Sequence, residues 1–112
     1  MTAGVHWVAP TTTVGEAVAL MARHRIGSTL VMEGPRLVGI FTERDTVRAL
    51  SVSHDAPSQE VTAWMTADPM TVTPDETVER ALRLMLDHNF RHLPVLEDGE
   101  VVGVVSIRNV AR

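Results

Sequence analysis

The sequence predicts an α/β fold made of two β-α-β-β-α repeats packed with pseudo-twofold symmetry. Three observations lead there. First, residues 8–46 and 72–110 align without a gap at a constant offset of 64, and 13 of the 39 aligned positions are identical, among them Val8/Val72, Pro10/Pro74, Val14/Val78, Met21/Met85, His24/His88, Gly39/Gly103 and Arg44/Arg108. Second, a unit this long that occurs only twice does not suit a solenoid, which needs three or more units to bury its faces. Two copies suit a paired packing in which a site formed by one copy is matched in the other. Third, 112 residues with 45% apolar content suffice for one shared core but leave each half too small to fold alone.

The elements follow in order. Trp7 to Val8 can supply a short leading strand. Val14, Ala17, Val18 and Met21 then fall at helical i, i+3, i+4, i+7 spacing, and Thr13 with Glu16 forms a capping box, which together predict a helix over about 13–25. Two apolar runs, Ser28 to Met32 and Leu37 to Thr42, are separated by a turn at Glu33 to Arg36, and a second helix starts near Glu43. The second copy repeats this pattern. Met70 to Thr73 gives its leading strand, and Val78, Ala81, Leu82 and Met85 its first helix, entered through Pro74 and Asp75. Leu93 to Glu97 and Val101 to Ser106 are joined by Asp98 and Gly99, a strong hairpin signal, and a last helix starts near Ile107. Ser51 to Gln59 is polar and contains Pro57, so it reads as a linker, and Val61 to Met65 as a short helix leading into the second copy. The expected division is repeat 1 over 1–50, linker over 51–60 and repeat 2 over 61–112. The two copies are complete in different ways, as in a segment trimmed from a larger chain.

Composition narrows the chemistry. The absence of cysteine excludes disulfides, thiolate zinc sites and cysteine nucleophiles. All ten basic residues are arginine and there is no tyrosine, so Schiff-base lysines, a Walker-type phosphate loop and a phenolic acid are excluded as well. No run approaches the 18 apolar residues of a membrane span, and Met1 to Pro10 lacks the charged start and apolar middle of a signal peptide. A soluble, cytoplasmic protein is expected. A net charge of −4 argues against duplex nucleic acid, which needs a basic face. An anionic ligand would have to bind at a local arginine cluster.

The turn from hairpin into second helix carries the candidate site. It reads Gly39-Ile40-Phe41-Thr42-Glu43-Arg44-Asp45 in the first copy and Gly103-Val104-Val105-Ser106-Ile107-Arg108-Asn109 in the second. Glycine in a strand permits close backbone approach, and a hydroxyl at a helix start is a cap that can also face an anion. The polar residue three positions on lies on the same helical face, where a carboxylate can accept both hydroxyls of a ribose. The plain alternative is that Thr42 and Ser106 only cap helices and Asp45 only complements the helix dipole; two matched copies in the same place favour the ligand reading.

These motifs, the helices opening at Thr13 and Thr77, and the strand entry Phe90-Arg91-His92-Leu93-Pro94-Val95 resemble the CBS domain family, and the tandem pair resembles a Bateman module. The resemblance covers nearly the whole chain. It implies repeats packed sheet to sheet, with two clefts between them that take adenosyl ligands such as AMP, ADP, ATP or S-adenosylmethionine. It further implies that Asp45 and Asn109 hold ribose hydroxyls and that Thr42 and Ser106 face ribose or phosphate. The adenine would meet mostly backbone at Trp7 to Ala9, including Val8, with Ile26, Gly27 and Ser28, and at Thr71 to Thr73, including Val72 and Thr73, with Phe90, Arg91 and His92, each set facing the other copy's motif. The resemblance also implies a homodimer, since such modules commonly pair into a disc.

Phosphates would need cations, and Arg91, His92, Arg44 and Arg108 are the candidates, since arginine gives charge-assisted, bidentate hydrogen bonds. Arg44 and Arg108 read equally well as a solvated helix face. Asn109 departs from the commoner aspartate, so the Asp45 site should bind a nucleoside more tightly, whereas a triphosphate would escape repulsion at Asn109. His24 and His88 share a repeat position at a helix C-terminus, where histidine complements the dipole. His6, His54 and His92 fit no metal-ligand spacing, so neither a metal nor a catalytic cofactor is expected. The six methionines read as core filling. Trp64 suits either the core or a dimer surface.

The expectation is a regulatory module that binds an adenosyl effector and is not an enzyme, because the inventory leaves no activated nucleophile or general-base pair. One alternative is a ligand-free module for homodimerisation or docking to an enzyme, channel or transporter. Another is a single-stranded nucleic-acid binder, which the acidic balance and the scarcity of stacking aromatics oppose.

Overall fold

The computed structural model describes residues 5–107, and they form two units, His6–Asp68 and the part that follows from Pro69. In the first unit β1 (Trp7–Val8) leads to α1 (Val14–His24), β2 (Ser28–Glu33), β3 (Arg36–Thr42) and α2 (Glu43–Val52), and a two-residue strand β4 (Thr66–Ala67) closes it. The second unit holds α3 (Val78–His88), β5 (His92–Glu97) and β6 (Glu100–Ser106). Ile107 opens a helical turn. The rest of the expected last helix, with Arg108 and Asn109, lies outside the described residues.

Local chemistry explains the first unit's helices. Thr13 and Glu16 form the expected capping box: the Thr13 N–H donates to Glu16 Oε1 (2.9 Å) and the Glu16 N–H to Thr13 Oγ1 (3.1 Å), which satisfies two of the orphan donors at a helix start. Helix α1 ends at Arg25 in the left-handed conformation (φ 55°). It lays Val14, Ala17 and Met21 against Val8, Val31, Phe41 and Val61. Phe41 is completely buried, a burial that contributes roughly 1.5–3 kcal/mol.

The sheet order is β1-β2-β3-β4, with β1 parallel to β2 and the rest antiparallel. The β2-β3 hairpin turns through Gly34 (φ 59°) and carries a bulge between Val31 and Met32. The second unit reproduces this detail by detail. Its hairpin turns through Asp98 and Gly99, both with positive φ, its bulge falls between Val95 and Leu96, and α3 ends at Asn89 (φ 59°). Each of these sits 64 residues beyond its counterpart. The leading strand expected at Met70 to Thr73 shrinks to one parallel bridge, Val72 to Val95, mirroring the Val8 to Val31 pair.

The segment after α2 differs from the expectation. Helix α2 runs on to Val52, so the first repeat's last helix enters the expected linker, and Ala56–Ser58 forms a 3-10 turn in which Ala56 is buried. The chain then runs along the first unit. The Val14 N–H donates to the Gln59 carbonyl and the Val61 N–H to the Thr12 carbonyl, both at 2.8 Å. The short helix expected at Val61 to Met65 is a single 3-10 turn, Val61–Ala63, and Val61 belongs to the first unit's core. Strand β4 then pairs with Gly39 and Ile40 of β3. The physical reason is at Gly39: a Cβ there would meet the Met65 sulfur and lie 3.0 Å from the Thr66 carbonyl oxygen. Only a bare backbone admits this crossing.

The cover has a consequence for helix burial. Val14 is 1% exposed beneath it, whereas its repeat mate Val78 is 60% exposed. The second unit's core gathers Val72, Ala81, Met85 and Leu93, with Phe90, Val95, Val105 and Ile107 packed around them. No helix among the described residues is long and apolar enough to cross a membrane.

Candidate functional site

Thr42 ends β3 and caps α2, so its hydroxyl and the first-turn amides of the helix meet at one point. The Asp45 N–H donates to Thr42 Oγ1 (3.3 Å), and Asp45 Oδ2 accepts from the Thr42 N–H (2.9 Å) and the Thr42 hydroxyl (3.1 Å). This is a capping box with aspartate in the place usually held by glutamate. Asp45 is buried, 7% exposed, and its carboxylate sits in the first turn of the helix, where the macrodipole favours an anion.

Backbone pairing brings the second strand's entry to the same spot. The Glu43 N–H donates to the Gly27 carbonyl (3.0 Å) and Ser28 pairs with Thr42. Val8 lies two strands over, paired with Val31 and buried. The first unit therefore gathers Ile26, Gly27, Ser28, Thr42 and Asp45 at one end of its sheet, while Val8 lies three positions along, beside Val31. Ile26 is half-buried and packs on the core, and Arg44 stands on the exposed side of the first turn of α2.

The second unit has the same wiring. The Ile107 N–H donates to the Arg91 carbonyl (2.8 Å), and His92 pairs with Ser106. These are the Glu43-to-Gly27 and Ser28-to-Thr42 interactions moved on by 64. Phe90 is half-buried, its ring stacked 5.9 Å from His88, and Arg91 is exposed at the strand entry. Val72 is buried, and Thr73 is exposed with its hydroxyl donating to Asp75. That bond, with the contribution of its own backbone amide, holds the Asp75 carboxyl below its ordinary value.

Two side chains that the sequence did not connect with Asp45 adjoin the site, Arg48 through the carboxylate and Trp64 through Arg48. Arg48 Nη2 lies 3.4 Å from Asp45 Oδ1 and donates to the Trp64 carbonyl at 2.7 Å. Its guanidinium stands 5.3 Å from the Trp64 ring centroid, within cation-π range. Trp64 in turn packs on the first unit's core and donates its indole N–H to Gln59 Oε1 (2.7 Å). The i, i+3 spacing of Asp45 and Arg48 was a readable signal; the role of Trp64 needed the tertiary fold. Elsewhere, His24 stacks on His6 at 4.0 Å, which ties the end of α1 to the start of β1. Among the described residues no three His, Asp or Glu side chains are grouped so as to hold a metal ion.

The arrangement offers a buried anionic hydrogen-bond acceptor and a hydroxyl at the end of a β-hairpin, suited to hydrogen-bonding a polyol. Comparison with known proteins agrees with the repeats. The chain is 44% identical over 113 residues to an uncharacterized 17.7 kDa protein of Acidianus ambivalens, covering 99% of this chain and 68% of that one. Its fold matches the CBS domain protein PAE2072 of Pyrobaculum aerophilum, solved in complex with AMP, with a TM-score of 0.87 at 29% identity over 97% of this chain and 85% of that one. It also matches the CBS domain pair of protein MJ0100, solved with 5-methylthioadenosine and S-adenosyl-L-methionine, with a TM-score of 0.87 at 26% identity, covering 96% and 89%. The family model for the CBS domain matches residues 1–52 and again 59–112: the chain belongs to the CBS domain family.

Proposed function

We propose that the chain is a regulatory module that binds an adenine nucleotide or another adenosyl ligand, catalyses nothing itself, works in the cytoplasm and pairs with a second copy. The observation that carries the reading is the buried Asp45 carboxylate, fixed by Thr42 at the end of the sheet where the edges of Gly27 and Ser28 also lie. A ribose diol donates two O–H groups, and a carboxylate can accept both through bonds of the charge-assisted kind. Backbone at residues 7–9 and 26–28 would meet the adenine. Similar proteins hold AMP in one case and 5-methylthioadenosine and S-adenosyl-L-methionine in another. What those ligands share is the adenosyl group, and only the first carries a phosphate, so the shared acceptor should be the ribose-facing carboxylate and not the arginines. Arg91 and Arg44 would then set the preference among AMP, ADP and ATP. In the second repeat Ser106 and His92 would play the parts of Thr42 and Ser28, with Asn109 for ribose, Arg108 for phosphate, and Val72, Thr73 and Phe90 lining the adenine.

The test is thermal unfolding and calorimetry with AMP, ADP, ATP and S-adenosylmethionine. A ligand at 100 times its Kd adds about 2.7 kcal/mol, on the order of 10 °C in a chain of this size. No shift with any of the four would sink the reading. One observation favours a second reading, a ligand-free docking module: both Asp45 oxygens already have partners within the chain, and α2 exposes Val47, Leu50 and Val52. That reading predicts no ligand response and a dimer that dissociates when these three are made polar.

A further inference from the structure

We propose that Arg48 reads the occupancy of Asp45 and passes it to the segment carrying Trp64. The inference rests on the ligand-binding reading above and adds to it a way for the bound state to leave the site.

The argument is an acceptor count. An ionised carboxylate has about four lone-pair sites. In Asp45, Oδ2 uses two on the Thr42 N–H and hydroxyl, and Oδ1 uses one on Arg48. Counted among the described residues, one remains, and a ribose diol brings two donors. One internal bond must yield. The Arg48 contact is the longest of the three, at 3.4 Å against 2.9 and 3.1 Å, and its side chain is 53% exposed, so water can solvate the released head at little cost. The Thr42 bonds, by contrast, also cap α2.

The released guanidinium is not idle. The same Nη2 that faces Asp45 holds the Trp64 carbonyl at 2.7 Å, and the charge stands over the indole ring. When Oδ1 turns to ribose, that nitrogen keeps one protein partner in place of two, and the cation is free to settle against the ring and carbonyl of Trp64. Trp64 lies between the Val61–Ala63 turn and β4, and β4 pairs with β3 at Gly39 to Ala67 and Ile40 to Thr66, with the Asp68 N–H donating to the Val38 carbonyl just beyond. The segment is short and meets the carboxylate's charged contact through the Arg48 guanidinium, which touches the Trp64 carbonyl and ring. The route is special to the first repeat, because position 109 is an asparagine and offers no full charge to an arginine.

The experiment uses the indole N–H signals in proton-nitrogen NMR. There are two tryptophans, so the Trp64 signal is the one missing from Trp64→Phe. AMP is titrated into the wild type and into Arg48→Met, which keeps the aliphatic stem on the ring but removes the charge, with Arg48→Gln as a second variant and calorimetry run on all three. In the wild type the Trp64 signal should move and saturate with the calorimetric Kd. In both variants AMP should still bind, within about fivefold of wild type, since exposed ion pairs contribute little, while the Trp64 shift is lost. A full Trp64 shift in the variants, or AMP binding to wild type with no movement of Trp64, overturns the proposal and leaves the binding reading standing. No AMP heat in the wild type removes both.

Discussion

Asp45→Asn separates a ligand-binding carboxylate from a helix cap. In the free protein the amide oxygen can still accept the Thr42 N–H, now held at 2.9 Å, but the charge at the first turn of α2 and the contact with Arg48 are lost. The expected cost is about 0.5–1 kcal/mol, a fall in Tm of roughly 2–8 °C. The ligand should suffer more. Bonds to a charged acceptor contribute about 1.5–3 kcal/mol and neutral ones about 0.5–1.5, so two ribose hydroxyls lose about 2–3 kcal/mol together, a Kd weaker by about 30- to 150-fold. The assay is calorimetric titration with AMP well below either Tm, repeated with 2′-deoxy-AMP. Wild type should lose about 10- to 150-fold for the missing hydroxyl, one charge-assisted bond of about 1.5–3 kcal/mol, and Asp45→Asn only about 2- to 10-fold, one neutral bond of about 0.5–1.5 kcal/mol. If the variant melts lower yet binds AMP as wild type does, or if both proteins lose equally on deoxygenation, Asp45 is a cap and nothing more.

Three further outcomes are expected. Gly39→Ala should cost about 1–3 kcal/mol in denaturant unfolding, because the new Cβ meets Met65 and the Thr66 carbonyl, while Gly103→Ala, with nothing within 4 Å among the described residues, should stay within about 0.5 kcal/mol; equal costs would mean that β4 does not cross at Gly39. Glu16 is held below its ordinary value of 4.5 by the Thr13 N–H and then by the Thr13 hydroxyl. Its contribution is thus complete above about pH 4.5 and lost as pH falls through the lower folded value, so Glu16→Gln should flatten the acid limb of Tm against pH, and an unchanged limb would refute the capping account. Arg91→Ala should weaken ATP by about tenfold, the value of one charge-assisted bond, and leave S-adenosylmethionine unchanged in calorimetry; equal losses for both would place Arg91 away from the phosphates.

What could be read from the chain depended on how far away the deciding partner lay. The 64-residue offset holds down to the bulges at Val31 and Val95 and to the left-handed residues Arg25 and Asn89, because each of these is set by neighbours within one hairpin or one helix end. The segment from Ser53 to Asp68 is different. From sequence, Ser51 to Gln59 is polar and contains Pro57, so it reads as a linker, and Val61 to Met65 reads as a short helix. The segment's partners are Thr12, Val14 and Gly39, some 30 to 50 residues earlier, and nothing local announces them. The same distance explains Val78. It occupies the position of Val14 in the helical pattern, but the cover that buries Val14 is supplied by residues 56–61, which have no counterpart among the described residues of the second unit.

The site divides along the same line. Thr42 and Asp45 could be paired from sequence because a cap and its N3 residue are three apart on one helix, and the carboxylate's burial follows from facing the sheet with Ala49 behind it. Arg48 completes that face at the next i+3 step, yet a lone arginine on an exposed helix normally belongs to solvent, and only Trp64, 16 residues on, gives it a fixed position. A capping box explains the order of Thr42 and Asp45 without any ligand, so the cap alone is weak evidence for binding. The stronger physical argument is the pairing of a buried carboxylate with an acceptor site left over after the donors among the described residues are counted. A helix cap needs one oxygen of Asp45. The second oxygen, met only by a long contact to a half-exposed arginine, is the part of the residue that capping does not account for, and it is where a ribose hydroxyl would begin.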